Sequence, residues 1–233
     1  MARNAEKRTL LLRFLKEAVC SDKATLMDVI GVHDSGNFYR FMVKAERSGI
    51  IRKHTFEMIG GKVPVWGITQ DGIAEVLDAG EPFPNRFEPS KITEWGLLQK
   101  LFVQKAVIGF QRQGFDRWIS AERAKGMKAF DVKHRPDGIL LKAEQTVALE
   151  AERTIKTKAH YQEAMKSYLV ARKEGKWEQV FYVLPDEKKK QALINMFDSI
   201  KFLMFNGKAV TLEPPHREAF RFYTLADLIK NES

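Results

Sequence analysis

The sequence predicts an α/β protein in two parts, a helical front portion closed by a β-hairpin and a mixed sheet flanked by helices. Three observations carry this. Apolar residues recur at helical spacing through the first segments and then give way to two extended runs around a glycine pair. A stretch with three prolines and a glycine, residues 80–90, interrupts the pattern. Beyond it, helical and extended patterns intermingle to the end, with a tight hairpin in the middle.

Taken in order, residues 5–19 place Leu11, Phe14, Leu15, Ala18 and Val19 on one helical face. A short helix over about 24–30 gathers Leu26, Val29 and Ile30, and Gly31 ends it. A third helix runs over about 35–48, closed by Gly49. Strands are expected over 50–57 and 63–69, joined by a turn at Ile59-Gly60-Gly61-Lys62, with Pro64 suggesting an edge position. A closing helix spans 70–79. Helix, helix, helix, hairpin, helix is the order of a winged helix-turn-helix, whose third helix enters the major groove of DNA. That helix carries Asn37, Tyr39, Arg40, Lys44 and Arg47, residue types suited to base edges and phosphates. The hairpin, or wing, adds Arg52, Lys53, His54 and Lys62. The domains expected are therefore 1–80, a linker at 81–90, and 91–233.

After the linker, residues 93–113 form an amphipathic helix stopped by Gly114. An extended piece follows near Trp118-Ile119. Then come strands at 137–141 and 146–153, a helix at 158–173, a strand at 179–184, and a helix beginning near Asp186. The tail reads as strands at 202–205, 209–212 and 220–223 and a helix at 225–230.

Composition narrows the functions. The chain has 233 residues with 44% hydrophobic, enough for packed cores. Its net charge of +9 favours a polyanionic partner, of which nucleic acid is the common one. No apolar run is long enough to span a bilayer, and Arg13 breaks the Leu10-Leu11-Leu12 run that a signal core would need. The single cysteine, Cys20, rules out an internal disulfide and fits a reducing cytoplasm. There is no phosphate-binding glycine loop of the nucleotide hydrolases. The five histidines, His33, His54, His134, His160 and His216, show no metal-ligand spacing along the chain.

Residues 134–158 carry the chemistry. Two apolar strands flank the polar turn Lys142-Ala143-Glu144-Gln145. On the second strand side chains alternate, so Ala148, Glu150 and Glu152 share one face and Val147, Leu149 and Ala151 the other. Asp137, thirteen positions before Glu150, starts the partner strand, and the hairpin can bring the two together. Clustered carboxylates repel, and a divalent cation relieves that repulsion while activating water and neutralising charge on phosphate.

The run Pro136-Asp137 followed by Glu150-Ala151-Glu152 resembles the PD-(D/E)xK nuclease superfamily, with Glu152 standing where the superfamily's final lysine is usual. More narrowly, Arg135-Pro136-Asp137-Gly138, then Leu149-Glu150-Ala151-Glu152-Arg153-Thr154 and a lysine- and tyrosine-bearing helix, resemble the replication-relaxation family, which includes the MobC-type plasmid mobilization relaxases. The resemblance implies a winged helix joined to a restriction-endonuclease-like domain. It implies Mg²⁺ or Mn²⁺ on Asp137, Glu150 and Glu152, and nicking of one strand of double-stranded plasmid DNA at a transfer origin. It implies accessory mobilization and coupling proteins as partners. No membrane partner is expected, since no apolar run is long enough to span a bilayer, and the sequence leaves both monomer and dimer open. The missing lysine would come from Lys156 or Lys158, with Lys166 two turns further along the same face. Glu122 would be a further acidic member. Tyr161 and Tyr168, at helical spacing, read as core or groove residues, and Lys188-Lys189-Lys190 as a solvated helix face. Two rivals stand beside this reading: a restriction- or transposon-type endonuclease cutting both strands, and a replication or transcription regulator whose nuclease fold is inactive.

Overall fold

The computed structural model describes residues 2–229, and the chain divides into two compact units, Met1–Gln104 and Lys105–Ser233. In the first unit, helix α1 (Ala2–Ala18) leads into strand β1 (Cys20–Asp22), helix α2 (Lys23–Val29) and helix α3 (Ser35–Arg47). Asp22 and Asp34 cap α2 and α3 by accepting from the backbone N–H groups of Thr25 and Asn37. Strands β2 (Ile51–Met58) and β3 (Gly61–Ile68) form the expected hairpin, and helix α4 (Gln70–Ala74) follows. The three strands make one antiparallel sheet in the order β1-β3-β2. Phe38, Met42 and Ala45 turn α3 toward the core, where Phe38 meets Trp66 of β3 edge to face at 5.3 Å.

Several expectations change here. The closing helix ends at Ala74 instead of Ala79. β3 is the central strand of its sheet, where proline is ordinarily excluded. Pro64 is accommodated because β1 pairs only with Val65, Trp66 and Gly67, so at Pro64 the strand has a neighbour on the β2 side alone. The proline-rich stretch is docked against the first unit. The Phe87 N–H donates to the Ile68 carbonyl, and the Phe87 ring lies where a Cβ on Gly67 would have to be. The segment ends in a 3-10 turn at Pro89–Lys91. The division between units falls within helix α5 (Glu94–Arg112), whose Leu97 and Leu101 join Val19, Cys20, Val65 and Phe87 in a buried cluster of the first unit.

The second unit is built on a five-stranded mixed sheet in the order β10-β7-β6-β5-β4. Strands β4 (Arg117–Ser120), β5 (Gly138–Lys142) and β6 (Gln145–Ala151) are antiparallel, with helix α6 (Ala121–Ala124) and a 3-10 turn at Lys128–Phe130 between β4 and β5. Helix α7 (Lys158–Lys173) crosses back so that β7 (Gln179–Leu184) lies parallel to β6. Helix α8 (Glu187–Asp198) leads to a small hairpin, β8 (Phe202–Phe205) and β9 (Lys208–Thr211), turned at Asn206-Gly207, both with positive φ. Helix α9 (Pro214–Arg217) precedes β10 (Phe220–Thr224), parallel to β7, and helix α10 (Leu225–Ile229). The last residue of the expected tail helix, Lys230, lies outside the described residues.

Alternation along the strands separates two faces. Ile139, Ala148, Val180, Tyr182 and Leu184 pack with Tyr161, Met165 and Tyr168 of α7 and with Leu193 and Phe197 of α8. On the other face Phe181 and Tyr223 meet Phe110 of α5 at 5.2 and 5.3 Å. Each fully buried aliphatic or aromatic side chain contributes roughly 1.5–3 kcal/mol of transfer free energy. Among the described residues no helix is long and apolar enough to cross a membrane.

Candidate active site and nucleic-acid interface

Because Gly138 pairs with Leu149, Asp137 stands one step further, opposite Glu150. Its carboxylate accepts from the Ala151 N–H at 2.9 Å, so the end of β6 orients the side chain that begins β5. Burial and then the negative field of Glu150 push the Asp137 carboxyl up to about 7, against the Ala151 hydrogen bond, with Glu152 adding to the rise and Lys156 opposing it.

Glu150 and Glu152 are 5% and 3% exposed, on the face of β6 covered by α7. Glu150 accepts a short hydrogen bond from the Tyr168 hydroxyl and lies 3.3 Å from Nε2 of His134. Glu152, just past β6, accepts from Lys156 Nζ at 2.7 Å and from the Tyr161 hydroxyl at 3.3 Å. Burial raises the Glu152 carboxyl despite the lysine. Burial works against the Lys156 ammonium in turn, but its hydrogen bond to Glu152 and the fields of Glu152, Glu150 and Asp137 hold its pKa above the ordinary value.

The sequence-predicted residues therefore separate. Asp137, Glu150, Glu152 and Lys156 come together. Lys158 does not, since its Nζ reaches the Ser199 carbonyl at the end of α8 at 3.0 Å. Lys166 lies over the Phe205 ring. Glu122 is exposed on α6. Tyr161 and Tyr168 are core residues, as their spacing suggests, and they also bring hydroxyls to two of the carboxylates. The histidines are less scattered than the sequence implies, because the His134 and His160 rings meet at 5.2 Å. His134 is tethered by its own N–H to Ser167 Oγ, and burial, followed by the fields of Lys156 and His134, holds His160 below its usual pKa. Residues on a loop and a distant helix carry no periodic signal linking them. The fixed seven-residue spacing of Tyr161 and Tyr168, facing carboxylates two residues apart, was the legible clue.

Three clustered carboxylates are the oxygen donor set that a hard divalent cation takes, and the raised Asp137 pKa reflects first its burial and then the negative charge of Glu150, both of which a cation would offset. In donor chemistry the residues fit Mg²⁺ or Mn²⁺. In side-chain arrangement they are turned toward protein donors, and among the described residues no group of three or more His, Cys, Asp or Glu is placed to hold a metal ion.

In the first unit, Asn37, Tyr39, Arg40, Lys44 and Arg47 are all exposed on α3. With Lys7 of α1 and His33 of the preceding loop they line a concavity of about 840 Å³. Among the described residues Arg40, Lys44 and Arg47 form no salt bridge, whereas Arg8, Lys16 and Arg86 are paired with Glu75, Glu81 and Glu88. The hairpin cations are more committed. Arg52 donates to the Phe87 carbonyl at 2.7 Å, Lys53 lies over the Trp66 ring, and Lys62 pairs with Glu57 at 3.3 Å. Arg52 thus serves to dock the proline-rich stretch.

In comparisons with known proteins, no family model, curated protein or solved structure matches this chain.

Proposed function

We propose that this protein is a DNA-binding, metal-dependent nuclease: a winged-helix module followed by a restriction-endonuclease-like domain that nicks one strand of plasmid DNA at a transfer origin, in the cytoplasm, as a mobilization relaxase. The observation that carries the reading is the gathering of Asp137, Glu150 and Glu152 beside Lys156 on two paired strands of the sheet. The helix-helix-helix-hairpin order and the unpaired cations of α3 support DNA as the partner. The transfer origin, the mobilization role and the accessory partners rest on the motif around Asp137 and Glu150.

Asp137, Glu150 and Glu152 would hold Mg²⁺ or Mn²⁺, which when bound supplies a water of lowered pKa and neutralises charge on the phosphate. The chain's own residues do the rest. Tyr168 and Tyr161 fix Glu150 and Glu152, and the Ala151 N–H fixes Asp137. Lys156 is the cation of the cluster, suited to stabilise negative charge developing on the phosphoryl oxygens. Hydrolysis adds water across one ester bond: oxygen joins phosphorus, the P–O bond to the departing sugar breaks, and a proton ends on that sugar oxygen.

A second reading is a replication or transcription regulator with an inactive nuclease fold. It is favoured by the carboxylates' engagement with tyrosines and lysine and by the lack, among the described residues, of an assembled metal-holding group. Supercoiled plasmid carrying the protein's own transfer origin separates the readings, incubated with Mg²⁺ or Mn²⁺ against EDTA beside an Asp137→Ala/Glu150→Ala variant. Metal-dependent open circles that the variant does not make support the nickase. Linear product supports a restriction- or transposon-type enzyme. DNA that is bound and never cut supports the regulator.

A further inference from the structure

We infer that Val43 of α3 reads thymine, its branched side chain being the contact for a thymine 5-methyl group in the major groove, an inference that rests on the first unit being a DNA-binding module. Val43 is 43% exposed, on the side of the helix away from the buried Phe38, Met42 and Ala45. It stands three residues after Arg40 and four before Arg47, so the two cations are its neighbours on the helix surface, one turn to either side. All three, with Lys44, line the concavity of the first unit. Among the described residues none of these three cations forms a salt bridge. An apolar side chain thus lies exposed between cations that have no carboxylate partner.

A single exposed aliphatic residue is ordinary on a protein surface, and it is the setting that distinguishes this one. The helix does not need valine there. Its core side is filled by Phe38, Met42 and Ala45, and a β-branched residue on an exposed helical face lowers helix propensity. The other exposed apolar residue of α3, Tyr39, is engaged within the unit: its ring meets Phe38 edge to face at 5.6 Å and carries the Lys23 ammonium at 4.9 Å. Val43 has no polar side-chain atom, so it can neither pair with a phosphate nor join a hydrogen-bond pattern. Arginines and lysines that dock on the backbone position a recognition helix, and the side chains between them face the base edges. Adenine, guanine and cytosine present polar groups at that edge, whereas thymine alone presents a methyl group. Contact with that methyl is what removes the apolar surface of Val43 from water.

The test is selection of bound duplexes from a library with a randomised central segment, followed by replacement of each thymine of the selected duplex, one at a time, by uracil. That change deletes the 5-methyl group and leaves every hydrogen-bonding group of the base in place. At one position it should weaken wild-type binding roughly fourfold at fixed salt, the worth of taking about one methyl-sized group out of water. Val43→Ala, whose side chain stops one carbon short, should bind the thymine and uracil duplexes alike and melt no lower than wild type. Val43→Thr, which keeps one of the two methyl groups, should still favour thymine. Lys44→Ala should weaken both duplexes equally. A selected site in which no thymine is sensitive to uracil, or a sensitivity that survives Val43→Ala, overturns the inference while leaving DNA binding intact. Failure of the wild type to bind any duplex at low salt overturns the DNA-binding reading of the first unit, and the inference falls with it.

Discussion

Lys156 Nζ stands 2.7 Å from the Glu152 carboxylate, a pair in which the lysine side chain is 45% exposed and the glutamate side chain 4%. The partner that would be left behind is the buried one. Lys156→Met should therefore cost about 1–2 kcal/mol of stability, discounted for the lysine's exposure, because Glu152 would stay desolvated without its cation. Plasmid nicking should fall together with stability. Lys158→Met, whose lysine reaches Ser199 instead, should leave nicking unchanged. Thermal melting and gel assays of both variants check this; equal activity losses would remove Lys156 from its special place.

Asp137 has a carboxyl raised to about 7 from an ordinary value near 3.8. The sign follows from proton binding. Between those values the folded protein holds the proton and the unfolded chain does not, so this residue's contribution is fully present below about pH 4 and is lost as pH rises to about 7. Asp137→Asn removes the titration. It should be more stable than wild type at pH 8, by an amount on the order of 1–4 kcal/mol, and the advantage should shrink toward pH 4. Urea denaturation of both proteins across that range measures the difference; a gain independent of pH would contradict it. The same variant should not nick DNA.

Tyr168 is 0% exposed and donates to the nearly buried Glu150. Tyr168→Phe keeps the ring and deletes the donor, so it should destabilise by roughly 1–3 kcal/mol. In a Glu150→Gln background the same change should cost less, because a neutral amide tolerates burial better than a carboxylate. A double-mutant cycle in urea gives the coupling energy, and a value near zero would mean the hydroxyl does not support Glu150.

The cations of α3 and of the hairpin should differ in their salt dependence. Lys44→Ala and Arg47→Ala should each lower the slope of log affinity against log salt by about 1, as loss of a phosphate contact does. Lys62→Ala should lower it less, since Glu57 already neutralises Lys62 in part. Equal slopes for all three would argue against α3 as the principal contact.

Much of this was legible because periodicity reports burial. Strong patterns, such as 158–173 and 179–184, mark α7 and β7 at the bounds found. The alternation of Ala148, Glu150 and Glu152 put those carboxylates on the face they occupy. What escaped has no period to read. β1 is three residues long, and α6 and α9 are single turns. The approach of His134 to His160 depends on how a loop crosses a helix. The prolines of 80–90 signalled irregular backbone correctly, but irregular backbone can still be packed. Phe87, 2% exposed, was the residue in that stretch that argued for docking.

That docking bears on how the protein comes apart. Cys20 is wholly buried in a cluster with Phe87, Leu97 and Leu101, all of which follow the proline-rich stretch or belong to it. Cleavage before Phe87 would separate these three side chains from the helices and hairpin that precede them, removing part of the apolar cluster that buries the Cys20 thiol. An alkylating reagent should therefore leave the chain's lone sulfhydryl unlabelled in the intact protein and label it in a fragment cut before Phe87.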